Sequence, residues 1–296
     1  MTFSGTIQVK HNPVTSWETF SHTFEASADE KDAGYFGLQF TQRAEGGFYR
    51  ASFSVRGSYD FLSNFMEGAL GREIKILDNE GKPVWEGYIH QLEYDAGRTV
   101  YRVDLGEMAN AVWVRYRVRG ASTTSRSIVQ TNADSISKYG RKEFVLSAGE
   151  LETTSAADNV AQQYLDLHEW PRPSPSRLDP DKELSEHPTV SVECRGWFDS
   201  LGWCTYNQTT STDSQGASSQ IADILADTNV AQFVLSTQIE TNATSVSKEY
   251  DADRRGGDIV KDIARLGDAT NSRWVVYMDN DRKFVYDEAS PPSMPE

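Results

Sequence analysis

Two short runs of alternating residues, Ile74-Lys75-Ile76-Leu77 and Val84-Trp85-Glu86-Gly87-Tyr88-Ile89, are joined by Asp78-Asn79-Glu80-Gly81. Alternation with period two puts successive side chains on opposite faces of a strand, and an Asp/Asn/Gly cluster closes such runs into a hairpin. Just upstream the period changes. Phe61, Leu62, Phe65, Met66, Ala69 and Leu70 recur at spacings of three and four, which is one face of a helix. Ser58 or Asp60 is placed to cap its start and Gly71 to end it. Further strand patterns lie at Phe36–Phe40, Tyr49–Val55, Thr99–Leu105 and Val112–Val118. Residues 1–119 therefore read as an N-terminal domain, a small β-barrel or sandwich carrying one helix.

Residues 120–188 read as a helix-containing connecting segment. A Ser/Thr-rich stretch, Ala121 to Thr131, is expected as a loop or irregular edge strand. Ala156, Ala157, Val160, Ala161, Tyr164, Leu165 and His168 then define an amphipathic helix behind a hydroxyl cap at Ser155. Trp170-Pro171 ends it, since proline lacks the N–H and clashes with the preceding turn. The Pro-rich residues 171–188 read as an extended linker or exposed loop. Residues 189–296 read as a second α+β, barrel-like domain: a strand at Val190–Cys194, helices at Ala217–Leu225 and Gly257–Leu266, and a hairpin joining Trp274–Tyr277 to Lys283–Tyr286 through Asp279-Asn280-Asp281. Pro291 and Pro292 end the ordered pattern.

The residue chemistry excludes more than it suggests. His11, His22, His90, His168 and His187 lie more than four residues apart, with no His-x-x-x-His or His-x-Glu, so a zinc enzyme is not expected. Cys194 and Cys204 read as buried thiols; there is no Cys-x-x-Cys, and no metal site is expected. The chain has neither a Gly-x-Ser-x-Gly elbow nor a phosphate-binding Gly-x-x-x-x-Gly-Lys. Arg254-Arg255-Gly256-Gly257 could meet an anion at a helix start, but reads better as a turn. Asp279, Asn280 and Asp281 lack the Gly and distant Glu of a calcium loop. No catalytic, cofactor-binding or metal-binding residue is assigned, and the chain is not expected to be an enzyme. The net charge of −15, from 44 acidic and 29 basic residues, argues against a surface that grips duplex DNA. No run approaches the roughly 20 apolar residues of a membrane span, and Met1 to Lys10 is too polar for a signal peptide.

Four stretches, in order, resemble tail hub and tail-tip proteins of phages, a family related in fold to baseplate hubs. The first is Leu70–Asp78 with the strand Trp85-Glu86-Gly87-Tyr88-Ile89. The second is Met108–Tyr116. The third is Ala133-Asp134-Ser135-Ile136-Ser137-Lys138-Tyr139-Gly140-Arg141-Lys142-Glu143, followed by the helix and Trp170-Pro171-Arg172-Pro173. The fourth is Asp258–Gly267 with the closing hairpin. The resemblance implies a β-rich α+β fold of two tube-like β-barrel domains decorated with short helices, like a baseplate hub. It implies a virion protein, assembled in the host cytoplasm, whose homotrimer closes the tail tube. Its partners would be the tail tube, distal tail and tape-measure proteins, and DNA would pass its lumen without specific binding; no cofactor is implied. The long C-terminal extension of larger members, where receptor-binding or wall-degrading modules lie, is not evident. Three other readings stay open: a distal tail or adaptor protein forming a hexameric ring, a carbohydrate-binding or degrading module of the tail tip, and the hub of a phage-like injection system.

Overall fold

A computed structural model describes residues 5–10, 17–22, 34–185, 188–206, 214–247, 254–268, 270 and 272–289. His11, His187, Pro291 and Pro292 lie outside them, as does part of the Pro-rich segment; of His22 only the backbone is described. The fold is α+β and β-rich. The chain divides into two compact units, one formed by Met1–Gln39, Ala51–Val84 and Tyr88–Cys194, the other by Phe40–Arg50, Trp85–Gly87 and Arg195–Glu296. These interleaved units cut the chain differently from a linear division at residues 119 and 188. The long strands at Gly34–Arg43, Gly46–Arg56 and Pro83–Asp95 each supply residues to both.

In the first unit, strands β1 (Thr6–Lys10), β2 (Trp17–His22), β3 (Gly34–Arg43) and β4 (Gly46–Arg56) lead into helix α1 (Tyr59–Gly68). Strands β5 (Glu73–Leu77), β6 (Pro83–Asp95) and β7 (Thr99–Asp104) come next. The alternation seen in the sequence is used directly: Ile7 faces Ile76 and Val9 faces Ile74, all buried. At α1 the Ser58 hydroxyl accepts the Phe61 N–H at 3.3 Å, while Leu62 and Phe65 are buried. The β5–β6 turn is held by Asp78, whose Oδ1 accepts the N–H groups of Glu80 and Lys82, each at 2.9 Å.

Strand β8 (Ala111–Val118) pairs with none of these strands; its partners all lie later in the chain. It sits at the centre of a small sheet, antiparallel to β9 (Thr124–Arg126) and β10 (Gln130–Thr131) and parallel to β11 (Glu143–Leu151). Between β10 and β11 sits the short helix α2 (Ala133–Tyr139), and after β11 comes α3 (Thr154–His168). Helix α3 packs Ala157, Ala161 and Leu165 on Val112, Val114 and Tyr116 of β8. Its cap is the Thr153 hydroxyl, which accepts the Ala156 N–H at 3.2 Å; Ser155, expected in that role, lies inside the first turn. The strand read as the end of an N-terminal domain thus belongs to the same sheet as the segment after it.

Part of the expected linker is also ordered. Strand β12 (Ser174–Leu178) pairs antiparallel with β7, with a register shift between Pro175 and Arg177 and every residue exposed. In this unit the strands run β12-β7-β6-β5-β1-β2-β3-β4, and β13 (Thr189–Arg195) pairs with both β4 and β6. The run from β6 to β4 therefore returns on itself.

The second unit holds β14 (Ser214–Gly216), α4 (Ala217–Ala226), the turn-length α5 (Thr228–Ala231), β15 (Ser236–Ile239), β16 (Ser245–Ser247), α6 (Gly256–Leu266), β17 (Trp274–Asp279) and β18 (Lys283–Glu288). The hairpin β17–β18 is flanked by β15, parallel to β18, and by the start of β4, parallel to β17. Gly47 allows the last contact: it has φ +74°, and a Cβ there would collide with the Met278 carbonyl. Helix α6 buries Ile259, Val260 and Ile263, and α4 buries Ile221 and Ile224. Among the polar groups inside, Asn242 donates to the Gly267 carbonyl at 3.0 Å and to the Tyr286 hydroxyl at 2.7 Å. That tyrosine's hydroxyl is pushed up to about 12 by burial.

Candidate functional site

The residues weighed from the sequence are taken up by structure. Arg254 pairs with Asp262, and Arg255 donates to the Trp203 carbonyl at 2.8 Å, so both arginines beside the start of α6 have partners within the fold. The Asp279–Asp281 stretch is the hairpin turn. Asp281 and Arg282 adopt left-handed φ values of 56° and 52°, and the Asp281 N–H donates to the buried Glu86 carboxylate at 2.7 Å. Cys194 and Cys204 are both buried. His90 lies on β6 with its ring edge-on to Tyr88, and His168 stacks on Tyr164 with ring centroids 4.1 Å apart. Among the described residues, no group of three or more His, Cys, Asp or Glu is gathered so as to hold a metal ion. No helix there is long and apolar enough to cross a membrane.

Among the described residues two carboxylates have shifted acidities, both on the second unit. Asp268 is held at about 2, first by the Thr270 hydroxyl and then by the Ser272 N–H among further donors. Glu240 is raised, first by a side-chain hydrogen bond with Asp287. Glu240 is an exposed strand-end group, and Asp268 is a partly exposed turn group.

The large sheet has an end strand in each unit. On the first unit β12 pairs, among the described residues, with β7 alone, and Pro175 and the register shift blunt that edge. On the second unit β15 pairs, among the described residues, with β18 alone; Ser236, Thr237 and Gln238 are exposed, and the preceding Leu235 is 68% exposed.

In the first unit a cleft of about 560 Å³ lies where the end of α3 meets β7 and β12. Its apolar lining includes Leu167, Trp170 and Pro171; its polar lining includes Arg102, Asp104 and Arg172. Trp170 is 38% exposed, and its ring is braced edge-on by Tyr139, with centroids 6.2 Å apart and planes at 72°. Asp104 is fixed by two donors, Arg102 Nε at 3.0 Å and the Gly106 N–H at 2.7 Å. Arg172 donates to the Asp166 carbonyl at 3.3 Å. His168 Nδ1 lies 3.2 Å from the Glu107 carbonyl oxygen. In the sequence Trp170-Pro171 reads as a helix stop and as part of a stretch resembling hub proteins; its approach to residues 102–108 rests on long-range contacts, the β7–β12 pairing and the Ala109 N–H bond to the His168 carbonyl at 2.9 Å, for which no local signal exists.

No family model and no curated protein sequence matches the chain. Among solved structures, it is similar to the 43 kDa tail protein of prophage MuSo2 from Shewanella oneidensis, with a TM-score of 0.40 and 13% identity over 98% of this chain and 57% of that one. The chain thus spans less than two thirds of that protein's length.

Proposed function

We propose that the chain is a structural, non-enzymatic component of a phage tail: a hub or tail-tip protein that closes the tail tube. The observation that carries this reading is the strand connectivity of the first unit, in which β13 pairs with both β4 and β6 and returns the run to its start. That is the connectivity a tube-like barrel needs, because closure removes sheet edges. The four stretches that resemble hub proteins also fall on ordered elements: the β5–β6 hairpin, β8, α2 with the start of β11, and α6 with β17–β18.

In this reading each chain supplies two barrel-like domains, and three copies form a closed ring that meets the tail tube and distal tail proteins and the tape-measure protein. Closed rings of this kind use heterologous contacts, and the exposed edge β15 suits one. The formal charge of −15 supports a lumen that DNA passes without being held. Native mass spectrometry of the purified protein, alone and with tail tube protein, tests the proposal. A trimer, formed alone or on adding tube protein, is expected. A hexamer would replace it with a distal tail or adaptor role, and a monomer indifferent to tube protein would remove the ring altogether.

A further inference from the structure

We infer that the cleft between the end of α3 and strands β7 and β12 binds a neutral oligosaccharide, with a pyranose ring against Trp170 and its hydroxyls on Asp104 and Arg172. The cleft, at about 560 Å³, falls within the range of about 300–1,000 Å³ usual for small-molecule sites. Three features narrow the ligand.

First, an indole that is 38% exposed and braced by Tyr139 is a rigid apolar platform next to polar groups. Aromatic rings in such a setting favour a partner with one apolar face and one polar rim. The C–H face of a β-linked glucose or N-acetylglucosamine unit, with its equatorial hydroxyls, has that form.

Second, the charges are balanced. Arg102 and Arg172 lie with Asp104 and Glu107 along the lining, so neither a phosphate chain nor a polycation gains from the site as a whole. The acidic chain around it further disfavours nucleic acid.

Third, the polar groups are positioned before any ligand arrives. Both Asp104 oxygens are oriented by donors, and each keeps a lone pair for a hydroxyl. Arg172 is anchored through one N–H and keeps others as donors. A carboxylate beside a guanidinium can accept from and donate to neighbouring hydroxyls of one sugar ring, and fixed partners reduce the ordering cost of binding.

This inference is independent of ring stoichiometry. The mass measurement above can fail while the cleft binds sugar, and the reverse. The test is titration of the full chain with triacetylchitotriose and with cellotriose, read by calorimetry and by saturation-transfer NMR. Saturable binding of at least one trisaccharide is expected, with Trp170→Ala weakening it at least about tenfold. Arg172→Ala, a change at an exposed side chain, should weaken it in the same direction. Leu178→Ala, exposed on β12 but outside the cleft lining, should leave it unchanged. No saturable binding of either sugar up to about 10 mM would overturn the inference. So would binding that survives both Trp170→Ala and Arg172→Ala in proteins with unchanged circular dichroism.

Discussion

Replacing Asn110 with alanine tests how the small α/β sheet of the first unit is held. Asn110 is fully buried at the entry to β8, and its side chain reaches three places. Its Oδ1 accepts the Lys142 N–H at 2.7 Å, and its Nδ2 donates to the Gly140 carbonyl at 2.8 Å and to the Ser135 hydroxyl at 3.2 Å. One side chain thus ties β8 to the end of α2 and the start of β11. In Asn110→Ala the Ser135 hydroxyl keeps its bond to the Glu169 carbonyl, at 2.6 Å. The Lys142 N–H and the Gly140 carbonyl lose the partner described. Each such orphaned group costs about 1–3 kcal/mol, so the total is about 2–6 kcal/mol. For a chain of this size that lowers Tm by about 3–10 °C. Urea denaturation followed by far-ultraviolet circular dichroism measures it. Asn110→Asp sharpens the test, since it keeps the acceptor for Lys142 but sets a carboxylate oxygen against the Gly140 carbonyl. The folded state should then raise the new carboxyl's pKa, and stability should recover as pH falls and the protonated group can donate. A loss below about 1 kcal/mol for Asn110→Ala would refute this account of the network.

Three further outcomes are expected from the described geometry. Asp268 has a folded-state value of about 2, below its reference of 3.8, so its contribution to stability is present above about pH 4 and is lost as pH falls through 2; carbon-detected NMR titration should place the midpoint near 2, and Thr270→Ala should raise it. Gly196→Ala drives a Cβ into the Phe48 carbonyl, a backbone contact that cannot move aside, and should cost upward of about 3 kcal/mol in a denaturant titration, whereas Gly202→Ala, with nothing within 4 Å, should change little. Cys194 is buried and its thiol pushed well above the usual range, and Cys204 is 1% exposed, so a colorimetric disulfide reagent should titrate no thiol in the native protein and two in denaturant.

What the sequence made legible tracks the range of the interactions. The β5–β6 hairpin, α1 with its Ser58 cap, α6 and the β17–β18 hairpin are each fixed by local periodicity and turn chemistry, and they stand where the patterns put them. Helix α2 is seven residues long, too short for a period to show, and depends on the Asn132 cap and on Asn110 from a distant segment. The parallel pairing of β8 with β11 joins residues about thirty apart, and nothing in either strand names the other. Strand β12 is exposed along its whole length, so no burial pattern marks it and its Pro175 suggests a loop. The cleft inherits that difficulty, because Arg102 and Trp170 become neighbours through long-range contacts, the β7–β12 pair and the Ala109 N–H bond to the His168 carbonyl.

The interleaving of the two units also shapes how such a gene can change. The chain passes from one unit to the other at five junctions, after Gln39, Arg50, Val84, Gly87 and Cys194. Neither unit can be cut out as a continuous stretch, so no single crossover between relatives would exchange one whole unit and leave the other intact. A fragment ending at Cys194 would retain strands cut from the second unit without the rest of its core. Variation is then channelled into substitutions and into loops, while the pair of units is inherited as one indivisible part.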